Sequence, residues 1–120
     1  MKNYLNNFSL KNKKAVVIGG CGLIGEKICE SFLSAGSKVT VIDFDKKKEN
    51  LLKKKFKSYK FVFEYLNISD LENLENNIKI FFKKNGCPDI FVNCSYPVTK
   101  DWKLSSFKKN KLKILRKNVD

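Results

Sequence analysis

The chain has 120 residues, which suits one small domain and is too short for two. It has 25 Lys and Arg residues against 12 Asp and Glu, no His, and a hydrophobic content of 42%. The lack of His excludes Ser-His-Asp and Cys-His catalysis as well as imidazole zinc sites. No apolar run approaches the roughly 20 residues that span a bilayer, and the first residues carry no secretory signal. We therefore expect a soluble, cytoplasmic domain that makes no membrane contact.

The excess of positive charge raises the question of nucleic-acid binding, because clustered cations release counterions from phosphate. The lysines, however, occur in short scattered groups, and Arg116 is the one arginine, although guanidinium groups dominate specific base recognition. We therefore do not expect nucleic acid to be a partner. The four cysteines form no C-x-x-C pair, which favours reduced structural thiols and no metal site.

The first half of the chain alternates between short apolar runs and helical patterns. The β-branched run at 15–18 predicts a buried strand. A helix is predicted from Leu23 to a C-cap at Ala35-Gly36, and its expected buried stripe is Leu23, Ile24, Ile28, Phe32 and Leu33. A second strand at 38–42 ends at Asp43, and a Lys/Glu-rich helix follows it.

The alternation continues through the second half. A third strand is predicted at 61–66, a helix capped by Ser69-Asp70 runs to Gly86, and a fourth strand covers 89–93. The expected stripe of that helix is Leu71, Leu74, Ile78, Phe81 and Phe82. A lysine-rich helix is predicted from about Ser105. This order predicts an α/β fold, a Rossmann-type parallel sheet with right-handed crossovers and helices on both faces. We expect a single domain over 1–120, with an N-terminal arm at 1–12.

The strongest motif is Gly20-x-Gly22-x-x-Gly25, preceded by Gly19, between the first strand and the first helix. Small residues there allow a tight turn, and they let a pyrophosphate approach the backbone at the helix N-terminus. Asp43 ends the next strand 18 residues after Gly25. A carboxylate at that point can accept hydrogen bonds from a ribose 2′-OH and repels a 2′-phosphate. The pattern predicts dinucleotide binding with NAD preferred over NADP, although the lysines at 46–48 complicate that choice.

The segment from Phe8 to Gly25 resembles the opening of a short-chain dehydrogenase/reductase (SDR), which usually reads Thr-Gly-Gly-x-Gly-x-Ile-Gly; here Ile18 replaces the Thr. Residues 66–70 resemble the family's Asp-Val-Thr-Asp segment, which borders the adenine, with Asn67 in place of the first Asp. Residues 89–95 resemble the strand that ends in Asn-Asn-Ala-Gly. The Tyr-Pro step that follows is similar to oxidoreductases of flagellin and surface-sugar modification. The resemblance covers essentially the whole chain but only the first half of the family's domain, and it implies about four strands in the order 3-2-1-4.

The resemblance implies an NAD(P)-dependent oxidoreductase that transfers hydride between nicotinamide and a carbonyl or alcohol carbon. It also implies a small-molecule substrate of unknown identity and, for the full-length family, a homo-oligomer. Together with the glycine motif, it predicts these cofactor-binding residues: Gly19, Gly20, Cys21, Gly22, Leu23, Ile24, Gly25, Asp43, Phe44, Asn67, Ile68, Asn93, Cys94 and Ser95.

No catalytic residue is predicted in this chain, because the family's Ser and helical Tyr-x-x-x-Lys normally lie beyond position 120. One Tyr-x-x-x-Lys occurs at 96–100, but Pro97 and the β-branched residues after it favour a loop. Asn118 is likewise not expected to be a catalytic Asn. We therefore expect an N-terminal fragment, truncated at the C-terminus and inactive by itself. Its fourth strand should be an exposed edge that favours aggregation.

Two other functions remain open at this point. The glycine spacing fits a sugar-nucleotide epimerase or dehydratase of the extended family equally well. The half-fold could also serve as a non-catalytic nucleotide-binding module.

Overall fold

The structure is a computed structural model that describes residues 4–96. A short 3-10 helix at Tyr4–Phe8 precedes the alternating elements: β1 (Lys14–Ile18), α1 (Leu23–Ser34), β2 (Lys38–Asp43), α2 (Lys46–Lys55), β3 (Phe61–Tyr65), α3 (Leu71–Asn85) and β4 (Ile90–Asn93). The strand bounds lie within one residue of those predicted. The helix predicted from Ser105, Lys100 of the Tyr-x-x-x-Lys motif, and Asn118 lie outside the described residues.

The strands form one parallel sheet in the order β3-β2-β1-β4, which confirms the predicted fold class. Ile18 at the end of β1 lies opposite Ile42 in β2 and Asn93 in β4. Asp43 lies opposite Tyr65 at the end of β3. The carboxyl ends of all four strands therefore meet at one edge of the sheet, where ligands bind in open α/β folds.

The sheet is covered on both faces, because successive side chains of a strand point to opposite sides. Ala15 and Val17 of β1 belong to the larger core under α1 and α2, whose buried members include Cys29, Leu33, Val39, Val41, Leu52, Phe56 and Phe63. Val16 and Ile18 belong to a smaller core under α3, with Ile42 and Phe81. These two cores explain why successive residues of β1 and β2 are buried on both faces of the sheet, in place of an alternation of buried and exposed residues.

The predicted helix stripes are wrong at their N-terminal ends. Leu23 and Ile24 in the first turn of α1 are 91% and 73% exposed, whereas Leu33 is buried. In α3 Phe81 is buried but Leu71 is 77% exposed. A helix of the length of α3 extends roughly 22 Å, while four strand residues extend roughly 13 Å. The first turn of α3 therefore extends beyond the part of the sheet on which it could pack. In α1, Leu23 and Ile24 come directly after the N-cap Gly22, at the carboxyl edge of the sheet.

The N-terminal arm is attached at the amino edge of the sheet. The Leu10 amide donates to the Ala35 carbonyl over 2.8 Å, and the Lys38 amide donates to the Lys13 carbonyl over 2.9 Å. These bonds place the arm away from the carboxyl edge. None of the helices within residues 4–96 is both long enough and apolar enough to cross a membrane.

Candidate functional site

The loop between β1 and α1 makes a tight turn over the carboxyl edge of the sheet. The Gly19 amide donates to the Ile42 carbonyl over 2.9 Å, and the Gly22 amide donates back to the Gly19 carbonyl over 3.1 Å. Gly19 has a φ of +72°, and a Cβ there would lie 2.8 Å from the Ser95 amide nitrogen. The turn therefore requires glycine at 19, both for its backbone conformation and for its contact with the segment after β4.

The two later glycines of the motif have different neighbours. A Cβ on Gly25 would overlap the Gly19 carbonyl oxygen, so Gly25 lets α1 pack directly against the turn. A Cβ on Gly22 would meet the same oxygen at 3.3 Å, a contact that a small adjustment relieves. Packing within the protein thus requires glycine at 25 more strongly than at 22. The exposed backbone at Gly22 is open to close approach from outside.

The N-terminus of α1 points toward the same edge. Its N-cap is Gly22, in extended conformation and without a side chain to cap the first turn. The leading amide groups of a helix lack intrahelical acceptors and carry the positive end of the helix dipole. Gly22 and the first turn of α1 therefore form a cradle suited to an anionic group such as a pyrophosphate.

Asp43 fastens this loop to the end of β2. One carboxylate oxygen accepts from the Cys21 amide over 3.0 Å. The other accepts from the Phe44 and Asp45 amides over 2.8 and 3.4 Å. On the opposite side of the same peptide segment, the Lys48 ammonium donates to the Cys21 carbonyl over 2.9 Å. Asp43 and Lys48 together hold the backbone of Cys21 in place.

Lys48 was not among the predicted site residues. The sequence marked the lysines at 46–48 as charges close to Asp43, but it did not show that one of them returns to the glycine loop. Phe44, which was predicted, is 60% exposed and directly follows Asp43.

The ends of β3 and β4 complete the edge. The Leu66 amide donates to the Asp43 carbonyl over 3.1 Å, which brings Asn67 close to Asp43. Tyr65, Leu66, Asn67 and Asp70 line one end of a groove of about 370 Å³, which continues between β3 and α3 as far as Lys84 and Asn85. Ile68 packs against the smaller core, so its side chain is turned inward.

On the other side of the glycine loop, the Asn93 side chain accepts from the Ser95 amide and hydroxyl over 3.0 and 2.6 Å. The Cys94 amide donates to the Ile18 carbonyl over 2.8 Å. Asn93 therefore shapes the turn that supports Gly19. The structure brings the predicted residues to one edge, and their role in binding stays a prediction.

The cysteines behave as packing residues at this site, with one exception. Burial, together with the nearby Asp43 carboxylate, raises the pKa of Cys21 to about 12. Burial and the neighbouring Cys94 thiol raise the pKa of Cys29 to about 12 as well. Both thiols are protonated at neutral pH and do not act as nucleophiles. All four cysteines are unpaired in this structure, and Cys87 is exposed, so it is not the structural thiol predicted. Residues 4–96 contain no group of three metal-ligating side chains.

Comparison with known proteins agrees with this geometry. Residues 15–105 match the family model of the saccharopine dehydrogenase NADP binding domain. The chain is 35% identical over 97 residues to post-translational flagellin modification protein A of Campylobacter coli. That alignment covers 78% of this chain and 38% of the relative.

Solved structures share the fold. The 2-keto-3-deoxy-D-gluconate dehydrogenase of Streptococcus agalactiae superposes with a TM-score of 0.68 at 21% identity, covering 95% of this chain and 42% of the enzyme. The gluconate 5-dehydrogenase of Burkholderia cenocepacia, solved with NADP and tartrate, gives 0.67 at 20% identity, with coverages of 88% and 42%. The chain thus spans less than half the length of these relatives. The chain therefore belongs to the family of NADP-binding Rossmann domains that this model describes, and these matches confirm the predicted similarity to the N-terminal, NAD(P)-binding part of the short-chain dehydrogenases/reductases.

Proposed function

We propose that this chain binds the adenosine diphosphate half of a nicotinamide dinucleotide within an oxidoreductase that acts on a carbonyl or alcohol carbon. The observation that carries the proposal is the glycine loop fastened to Asp43, with Gly22 open to solvent at the N-terminus of α1. The residues present fit the cofactor, because an alanine-sized group at Gly22 would occupy the space through which a pyrophosphate reaches the backbone.

Each part of the edge has a distinct task in this proposal. Gly22 and the first turn of α1 donate to the pyrophosphate, Asp43 accepts from the ribose, and the groove at Asn67 receives the base. When bound, the nicotinamide accepts or supplies the hydride. The chain's own residues orient the dinucleotide, and we expect the isolated chain to bind without turnover. The alignment covers 38% of the flagellin-modification relative. The hydride transfer is therefore proposed for a whole oxidoreductase and not for this chain alone.

Recognition of the ribose depends on two opposing charges. Asp43 by itself predicts a preference for NAD, because its carboxylate repels a 2′-phosphate. Three backbone amides already donate to that carboxylate, however, and one of them belongs to Cys21. The carbonyl of the same Cys21 accepts from the Lys48 ammonium over 2.9 Å. The matching family model, described as NADP-binding, favours NADP. We propose that the chain accepts NADP at least as well as NAD, with Lys48 offsetting the charge of Asp43.

The decisive experiment is an equilibrium titration of the purified chain with NADH and with NADPH, followed by cofactor fluorescence. We expect Gly22→Ala to weaken binding of both by at least about tenfold, or 1.4 kcal/mol. Gly86→Ala is the matched control. Gly86 has a φ of +74° at the amino edge, so alanine there destabilises the fold without touching the site. Lys48→Ala should reduce affinity for NADPH more than for NADH.

Two results would contradict these proposals. Failure of the folded wild-type chain to bind either dinucleotide would refute the binding function, as would equal affinities for the Gly22→Ala and Gly86→Ala variants. A clear wild-type preference for NADH, unchanged in Lys48→Ala, would refute only the role given to Lys48.

A further inference from the structure

A row of lysines runs along the amino edge of the sheet, opposite the edge that carries the glycine loop. Lys14 begins β1 and lies opposite Lys38, the first residue of β2. Lys60 directly precedes β3, and its carbonyl accepts from the Val39 amide over 2.9 Å, which places it beside Lys38. Neighbouring strands are about 4.8 Å apart, so the three side chains start within about 10 Å of one another. Like charges placed opposite one another destabilise a sheet.

A small cavity lies beside two of these lysines, on the face of the sheet that α3 covers. It has a volume of about 20 Å³ and is lined in part by Lys14, Lys38 and Thr40 of the sheet and by Asn85 and Gly86 at the end of α3. A Cβ on Gly86 would lie 3.5 Å from the Lys14 ammonium nitrogen. A space of this size holds one water molecule or one oxygen atom of a larger group.

Thr40 presents a hydroxyl without a partner to this cavity. The residue is 7% exposed, and its hydroxyl has no hydrogen-bond partner among residues 4–96. Every fully covered polar atom of a buried side chain in that range does have one. The Thr40 hydroxyl therefore opens into the cavity that the residue lines. A buried hydroxyl without a partner is destabilising, and an acceptor placed in the cavity would remove that cost.

The charges beside the cavity favour an anion as this acceptor. Within the described part of the chain, neither the Lys14 nor the Lys38 ammonium has a hydrogen-bond or ion-pair partner. Asp89 precedes β4 on the other side of Lys14, and its carboxylate accepts from the Lys14 backbone amide over 2.8 Å. The same carboxylate lies 3.9 Å from the Lys13 ammonium. The acidic group of this edge is thus engaged, and two cations remain.

The C-terminus of α3 does not supply the missing partner. It is the negative end of the helix dipole, and lysines next to it offset that charge. The carbonyl of Phe81, however, already accepts from the Asn85 side chain over 3.0 Å, and that of Phe82 accepts from the Gly86 amide over 2.8 Å. Neither lysine ammonium bonds to these carbonyls, so both remain available to a ligand.

We propose that this cavity and its two lysines bind a phosphate group, at a second anion site separate from the dinucleotide edge. One phosphate oxygen enters the cavity and accepts from the Thr40 hydroxyl, while the other oxygens accept from the ammonium groups of Lys14 and Lys38 outside it. Lys60, next in the row, meets the following phosphate of a phosphate chain. The ligand is therefore orthophosphate or the terminal phosphate of a short polyphosphate. Lys14 and Ile18 lie at opposite ends of β1, roughly 13 Å apart, so this site is distinct from the glycine loop.

The test is a titration of the isotope-labelled chain with orthophosphate and with tripolyphosphate at constant ionic strength, followed by backbone amide shifts in NMR spectra. We expect saturable shifts at the Lys14 and Gly86 amides. Lys38→Gln should weaken orthophosphate binding by at least about tenfold, the size of one hydrogen bond to a charged group. Thr40→Val keeps the shape of the side chain but removes the hydroxyl, and should weaken binding by about fivefold. Thr40→Val keeps the test decisive if the lysine variant fails to fold.

Two control variants identify the site. Lys79→Gln removes the same charge on the exposed face of α3, where the ammonium pairs with Glu75 over 2.6 Å, and it should bind phosphate as the wild type does. Gly22→Ala alters the dinucleotide cradle and should leave the shifts at the amino edge unchanged.

A third variant distinguishes the two sources of the phosphate group. If a phosphate chain is the ligand, tripolyphosphate should bind more tightly than orthophosphate, and Lys60→Gln should remove that difference. If a single phosphate group is the ligand, the two should bind equally and Lys60→Gln should change neither. Either result supports the site at Thr40.

Three results would overturn the inference. They are equal affinities for the wild type and the folded variants at 38 and 40, shifts confined to the glycine loop, and the absence of saturable shifts with either ligand. In each case the lysines of the amino edge serve only as solvated charges. None of these results decides whether the carboxyl edge binds a dinucleotide, which has its own titration.

Discussion

The two faces of the sheet differ in how densely they are packed, and the predicted site depends mainly on the denser one. Under α1 and α2, the interior residues of β1 and β2 are buried. Under α3, the burial is thinner: Phe81 is the buried residue of that 15-residue helix. In β4, half-buried residues alternate with exposed ones, and Phe91 is 54% exposed.

This difference in packing divides the predicted site into a more rigid part and a less rigid part. The glycine loop, Asp43 and Lys48 connect elements of the well-packed face, and the hydrogen bonds among them run between distant parts of the chain. Asn67 is instead held by bonds within its own turn. A site built on packed elements keeps its geometry better than one built on a turn. We therefore expect phosphate and ribose recognition to tolerate substitution less well than recognition of the base.

Truncation of one leucine on each face should show the contrast most directly. Leu33 is 3% exposed in the larger core, so Leu33→Ala should lower the free energy of unfolding by about 2–5 kcal/mol. Leu74 of α3 is only half-buried, and Leu74→Ala should cost less than about 1 kcal/mol. Urea unfolding followed by circular dichroism measures both values. Equal costs would mean that the two faces are packed alike.

A smaller effect on the free energy of unfolding should appear at high pH, because two buried thiols of the larger core, Cys21 and Cys29, titrate there. Burial raises the pKa of Cys21 and Cys29 from 9.0 to about 12 in the folded chain. Between these values the folded state binds more protons than the unfolded state, so its stability falls as the pH rises. The decrease is at most about 1.4 kcal/mol per pH unit for each thiol.

Unfolding midpoints from pH 8 to 11 test this expectation, with Cys29→Ala as the comparison that cancels titration of lysines and tyrosines. The variant should lose stability less steeply than the wild type above pH 9, the ordinary thiol value. Cys87→Ala is the matched control, because Cys87 is exposed, and its profile should follow that of the wild type. Parallel profiles for wild type and Cys29→Ala would contradict the prediction.

The smallest change in stability is expected at the edge of the sheet. Phe91 of β4 is more than half exposed, so Phe91→Thr should alter the free energy of unfolding by no more than about 0.5 kcal/mol. It should nevertheless reduce self-association in light scattering, since an apolar strand edge promotes pairing between chains. Phe63→Thr on β3 is the contrasting variant, because Phe63 is 8% exposed and its loss should destabilise the fold strongly. Unchanged scattering for Phe91→Thr would refute the aggregation hazard predicted for β4.

Much of this molecule could be predicted from residue order, because the relevant signals are local. The change from β-branched runs to helical spacing located each described strand to within a residue. The alternation of strands and helices predicted a parallel sheet, and the family resemblance implied the order that is observed. The glycine motif could be interpreted for the same reason, since its turn and the following helix lie within a few residues of one another.

The predictions that failed were the N-terminal ends of the buried stripes of two helices, α1 and α3. Periodicity alone could not show that Leu23 and Leu71 are exposed, because their burial depends on where each helix begins relative to the strands beneath it.

By itself, the sequence determined the parallel α/β fold, the glycine turn before the first helix and the carboxylate at the end of β2. Only the tertiary structure decided that Lys48 returns to the glycine loop and that Asp43 accepts from the Cys21 amide. The physical reason is distance and direction. Hydrogen bonds require partners within about 3 Å and in suitable alignment, and the chain achieves this between elements only after the sheet has brought its carboxyl ends together.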